Sequence, residues 1–131
     1  VEGEDRDRNR DRDMYYYNLG MKCLEQEDYE RSLAYFEQSL SICSHYKTCS
    51  RIAQVLKVLG REEEAESYIV RAYEENQKSD KAALVYAELL LKNGQTELTR
   101  TILEKLLSRN PTYGPAQRLM KQMDLRTRFD D

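Results

Sequence analysis

From Met14 onward, apolar residues recur every three or four positions, the period of one face of an α-helix, and short polar turns interrupt the pattern at regular intervals. The interruptions are Glu27-Asp28, Ser44-His45, Leu59-Gly60, Gln77-Lys78-Ser79, Asn93-Gly94, and Asn110-Pro111 with Gly114. They predict seven helices over about 14–26, 29–42, 46–59, 62–76, 80–92, 96–109 and 114–128. Links this short make sequence neighbours antiparallel. Two prolines and five glycines leave long stretches without helix breakers, so nothing in the composition opposes the pattern.

The pattern also repeats at a longer interval. Gly20, Ala53 and Ala87 are 33 and 34 residues apart, as are Ser32, Ala65 and Thr99, and Phe36, Ile69 and Leu103. Small residues at the first two sets let paired helices approach closely, and the large apolar set fills the space between one pair and the next. Pro115 stands just inside the last helix, where its missing N–H would have been unpaired anyway. Leu119, Met120 and Met123 give that helix an apolar stripe and Gln117, Arg118, Lys121 and Arg126 a polar side, as an array-closing helix requires.

These residues resemble the tetratricopeptide repeat, a helix-turn-helix unit of about 34 residues. Tyr16-Tyr17-Asn18-Leu19-Gly20-Met21-Lys22-Cys23 with Asp28-Tyr29, Ser32, Phe36 and Ser39 follows the first unit. Cys49, Ile52, Ala53, Leu56, Gly60, Ala65, Ile69 and Ala72 follow the second, and Ala83, Tyr86, Ala87, Leu90, Gly94, Thr99, Leu103 and Pro111 the third. The resemblance implies an all-α, right-handed α-solenoid of three repeats, about 13–45, 46–79 and 80–113, with a capping helix over 114–128. The pattern departs at Cys23, Ser32, Ser39, Thr99 and Leu106, which puts local packing in question at those positions.

Ahead of this domain of residues 14–128 lies the mixed-charge segment 1–13, whose Asp/Arg alternation offers little apolar surface and reads as flexible and solvated. The formal net charge of -3 hides a high density of both signs. No apolar run approaches the roughly 18 residues that span a bilayer, and the N-terminus lacks a signal-peptide pattern, so an intracellular, cytoplasmic or nuclear setting and no membrane partner are expected. Cys23, Cys43 and Cys49 form no CxxC pair and read as reduced, small buried hydrophobes. His45, the single histidine, falls in a turn, so neither a catalytic triad nor a histidine metal site can be built. The reading is of a non-enzyme without cofactor or metal. Tyr15, Tyr16 and Tyr17 are assigned mostly to packing.

The first helix of each repeat leaves one side unused by packing, and in the family that side lines the concave groove. The first helix contributes Tyr17, Met21 and Leu24, the third Lys47, Arg51, Gln54 and Lys57, the fifth Lys81, Leu84, Glu88 and Lys92, and the capping helix Arg118. Cations dominate this face of a chain whose total charge is negative, and Met21, Leu24, Leu84 and Leu91 add exposed apolar groups. The expected function is a protein-binding adaptor that takes an acidic peptide with a hydrophobic anchor. Self-association through ends or convex face, and polyanion binding by the basic strip, are the alternatives, with nucleic acid not the expected partner. One branch of the family binds the acidic tails of heat-shock chaperones through a lysine, two asparagines, a second lysine and an arginine. Only Lys81 matches; Tyr17, Met21, Arg51 and Val85 stand at the other positions, and the comparison disfavours chaperone tails.

Overall fold

The computed structural model describes the backbone of residues 2–130 and the side chains of residues 8–126. Among the described residues the chain forms seven helices: α1 (Glu2–Glu25), α2 (Tyr29–Ile42), α3 (Tyr46–Val58), α4 (Glu62–Glu75), α5 (Asp80–Lys92), α6 (Thr96–Arg109) and α7 (Gly114–Asp130). They are three helix-turn-helix units followed by one further helix, all-α as the periodicity predicts. The chain divides into two compact units, Val1–Glu75 with α1–α4 and Asn76–Asp131 with α5–α7. In the first, α1 packs on α2, α3 packs on α4, and α2 joins the hairpins by packing on α3. In the second, α5 pairs with α6, and α7 packs on both.

Local chemistry sets the helix ends. The Asp28 carboxylate accepts from the Arg31 N–H at 3.4 Å, Ser79 Oγ from the Ala82 N–H at 3.3 Å, and His45 Nδ1 from the Lys47 N–H at 3.2 Å. Glu62, Glu63 and Glu64 place negative charge at the positive end of the α4 dipole. The start of α1 is the exception to the predicted boundaries, since the helix begins at Glu2 rather than near Met14. Part of segment 1–13 lies outside the described residues, but over 8–13 the backbone is helical and continuous with the rest of α1. No proline interrupts it, and opposite charges stand three residues apart at Arg8 and Asp11 and at Arg10 and Asp13. Asp13 also accepts from the buried Ser39 hydroxyl on α2, which anchors the helix immediately before its apolar stripe begins.

The α3–α4 and α5–α6 turns pass through Gly60 (φ 78°) and Gly94 (φ 82°), where a left-handed backbone suits glycine. The α1–α2 turn has the same geometry, but Glu27 occupies it at φ 60°. A side chain there costs about 1–2 kcal/mol, partly offset by its smaller unfolded-state freedom. Glu27→Gly is therefore expected to raise stability by about 0.5–1 kcal/mol in urea denaturation.

The core confirms the repeat grammar. A Cβ added at Gly20 would lie 2.7 Å from both Cδ1 and Cε1 of Phe36, so only glycine lets the Phe36 ring lie against α1. Phe36, Leu103 and Leu106 are fully buried, and Ile69 is nearly so. The hydroxyls standing where the family has alanine are buried and satisfied. Ser32 Oγ donates to the Gly20 carbonyl at 2.8 Å, Thr99 Oγ1 to the Gln95 carbonyl at 2.8 Å, and Ser39 to Asp13. No buried side-chain nitrogen or oxygen among the described residues lacks a partner. The departures from the family pattern thus leave the packing intact.

Candidate functional site

The residues predicted for the binding face fall in both units, and each unit's share is described separately. In the first unit, Tyr17, Met21 and Leu24 lie half-buried on α1, and Lys47, Arg51, Gln54 and Lys57 lie on α3. The Tyr17 ring leans on Phe36 at 5.5 Å, fixing its hydroxyl relative to the core. Arg51 is half-buried, and its guanidinium is held on two sides, Nε donating to the Tyr17 hydroxyl at 3.4 Å and Nη1 to Gln54 Oε1 at 3.2 Å. Both partners are neutral, and among the described residues no carboxylate pairs with Arg51. By contrast Arg61, Arg71, Arg100 and Arg109 each meet an acidic side chain.

The charge pattern of α3 strengthens this difference. Its sequence, YKTCSRIAQVLKV, carries three cations and no acidic residue. Lys47 and Arg51 are four residues apart and share a face, and Lys47 and Lys57 are exposed. A planar fork held in place, with the exposed Lys47 four residues before it on the same face and no carboxylate on the helix, is suited to binding carboxylates.

In the second unit, Lys81, Glu88 and Lys92 are exposed on α5 and Arg118 is exposed on α7. Leu84 does not belong with the exposed apolar groups, because it is buried. α5 contacts both α6 and α7, and covering a leucine stabilises by about 1.5–3 kcal/mol, so this face is partly consumed by the unit's own packing. Leu91 is half-buried. A shallow surface depression lined by Gly94, Gln95, Thr96, Glu97, Leu98 and Thr101 lies at the α5–α6 turn and includes none of the predicted residues.

Two other expectations need correction. Cys23 and Cys49 are buried, but Cys43 is exposed, because the chain leaves the α2 helix at this C-cap and turns extended. Burial pushes the Cys49 thiol up to about 11, with Glu75 adding to the shift and Arg71 opposing it. Tyr15 is 61% exposed, so it does not serve packing as Tyr17 does. His45 caps α3 and stacks on Tyr46 with centroids 4.8 Å apart, a structural use. Among the described residues no group of three or more His, Cys, Asp or Glu side chains could hold a metal ion, and no helix is long and apolar enough to cross a membrane. Sequence reasoning missed Tyr35, which a packing stripe read on α2 alone does not separate from the core positions around it.

Comparison with known proteins bears on the fold. Two family models, each described as tetratricopeptide repeat, match residues 14–46 and 59–123. A search of curated proteins found no match. Among solved structures, the first TPR of Spaghetti (RPAP3) bound to the HSP90 peptide SRMEEVD aligns with a TM-score of 0.76 at 15% identity, over 89% of this chain and 94% of that one. The second TPR domain of human RPAP3, in complex with the HSP70 peptide SGPTIEEVD, aligns with a TM-score of 0.73 at 14% identity, over 88% and 98%. The Arabidopsis OM64 TPR domain aligns with a TM-score of 0.75 at 13% identity, over 90% and 98%.

The two peptide complexes overturn the expectation that chaperone tails are disfavoured. That expectation matched a single set of clamp residues one by one, whereas a carboxylate accepts from any cationic donor within reach. Matching at a few positions is therefore no ground for excluding a class of ligand. The periodic core, the turn geometry, and the profiles that match most of the repeats lead to one assignment: the chain belongs to the tetratricopeptide repeat family.

Proposed function

We propose that the protein is a non-catalytic adaptor that binds a peptide segment of a partner protein on the groove-side faces of its first-in-repeat helices. On the first unit, Arg51, Lys47 and Lys57 take acidic groups of the segment while Tyr17, Met21 and Leu24 receive an apolar side chain and Gln54 holds the Arg51 fork. On the second unit, Lys81, Glu88, Lys92 and Arg118 offer polar contacts to a bound segment. The observation that carries this reading is Arg51, a half-buried guanidinium held by two neutral groups on a helix that has no acid of its own. The peptides in the two RPAP3 complexes have the same chemistry, an apolar Met or Ile followed by acidic residues, which supports chaperone-type tails as ligands of this class. A cytoplasmic or nuclear setting goes with such partners.

The test is binding of labelled SRMEEVD, and of a version with its acids replaced by amides, to the full chain and to Arg51→Glu at two salt concentrations. Helix content is checked by circular dichroism. Losing charge-assisted hydrogen bonds of about 1.5–3 kcal/mol weakens binding by roughly 10- to 150-fold, and the amide peptide should bind poorly to the unaltered chain. Equal affinity of the folded variant would remove the α1/α3 face from the function.

A further inference from the structure

The first unit carries a second surface, built from side chains that the α1/α3 face does not use. Tyr15, Tyr16 and Tyr35 form a ladder across α1 and α2. The Tyr15 and Tyr16 centroids are 5.4 Å apart and edge-on, and those of Tyr16 and Tyr35 are 6.5 Å apart with planes 22° from parallel. The Arg31 guanidinium carbon lies 6.0 Å over the Tyr35 ring and extends the row. Helical spacing explains the arrangement, because Arg12 precedes Tyr16 by four residues on α1 just as Arg31 precedes Tyr35 by four on α2. Tyr15 is 61% exposed, Tyr16 and Tyr35 are half-buried, and Arg12 and Arg31 are exposed.

We propose that this ladder is a docking site for a proline-rich segment of a partner protein that carries an acidic residue. Three arguments select that occupant. The surface is rich in donors, with three phenol hydroxyls, the Arg31 guanidinium over the Tyr35 ring and the exposed guanidinium of Arg12 one turn before Tyr16. A ligand that covers them must return acceptors. A polyproline II segment has no internal hydrogen bonds and presents every carbonyl, whereas a docked helix has satisfied its own and would leave the donors unpaired at a cost of about 1–3 kcal/mol each. Charge supplies the second argument, since Arg12 and Arg31 repel a cationic ligand and favour an acidic one. Arg31 does meet Asp28 at 3.7 Å, but with the two side chains 66% and 39% exposed this pair is weak and exchangeable. Spacing is the third: each step of the ladder is close to the roughly 6 Å rise of two polyproline II residues. Rigid aromatic rings are also the usual platform for such segments.

The chain has no tryptophan, so a synthetic proline-rich peptide containing one glutamate and ending in tryptophan reports its own binding by fluorescence. We expect saturable binding to the full chain, weakened about tenfold, or about 1.4 kcal/mol, by either Tyr15→Ala or Arg31→Glu. Both altered side chains are exposed, and circular dichroism verifies that the variants fold. Replacing the prolines by alanine, or the glutamate by lysine, should weaken binding to a similar extent. Unchanged binding in Arg51→Glu would show that the site is separate from the α1/α3 face. The proposal is overturned by the absence of saturable binding, by equal affinity in both ladder variants, or by equal affinity of the alanine peptide. It also fails if Arg51→Glu abolishes binding, or if mass rises with protein concentration and Tyr15→Ala reverses the rise, which would assign the ladder to a second copy.

Discussion

Replacing Phe36 by alanine is expected to remove about 3–5 kcal/mol of stability, the range for truncating a fully buried aromatic side chain. The ring is completely buried, contacts Tyr17, and fills the space left by the missing side chain of Gly20. Small domains are stable by only about 5–15 kcal/mol, so this single change consumes a large part of the total. The same contact predicts the reverse experiment. Gly20→Ala gains about 1 kcal/mol of helix propensity but forces a methyl group to within 2.7 Å of the ring, an overpacking cost of about 1–3 kcal/mol. The net change is destabilising. In a Phe36→Leu background the clash disappears and the propensity gain remains, so Gly20→Ala becomes stabilising. Urea denaturation of the two single variants and the double variant measures this coupling, and simple additivity would show that the close approach does not govern packing.

Leu103→Ala is the second large effect, expected to cost about 2–5 kcal/mol. Leu103 occupies in α6 the repeat position that Phe36 holds in α2, and it is also fully buried. Leu98, five residues earlier on the same helix, is 43% exposed, and its replacement by alanine should stay within about 0.5 kcal/mol. A comparable loss for both leucines would mean that helix propensity, and not the repeat-defined core, determines the cost. Only the position within the repeat separates these two residues of the same type.

Much of the fold was legible because it rests on strong local signals. Gly60, Gly94, the Ser79 cap and the Asn110-Pro111 turn each mark a helix end within a residue of where it lies. Glu27 was less visible. It holds the left-handed turn position of the first repeat without the residue type that advertises it, and only the 33-residue offset to Gly60 reveals the equivalence. The start of α1 was hidden because solvated charge and a solvated helix have the same composition. For the candidate face, period alone places Tyr17, Arg51 and Gln54 on adjoining sides of two helices. Their mutual hydrogen bonds depend on rotamers, which no spacing encodes. Leu84 shows the opposite limit: a residue read as exposed on its own helix is buried once neighbouring helices are in place. The tyrosine ladder was missed because it joins α1 to α2, and reading each helix separately cannot show what two helices build together.

The distribution of thiols has a consequence for following how this protein opens. All three cysteines lie within Val1–Glu75, and none lies in Asn76–Asp131. Cys43 should react with a thiol reagent immediately, while Cys23 and Cys49 react only through fluctuations that expose them. When reclosing outpaces reaction, their labelling rates relative to a free thiol give the free energy of that opening. At high reagent concentration the rates level off at the opening rate itself. The native chain thus carries an internal clock for its first four helices, whereas excursions confined to the last three leave no mark on it.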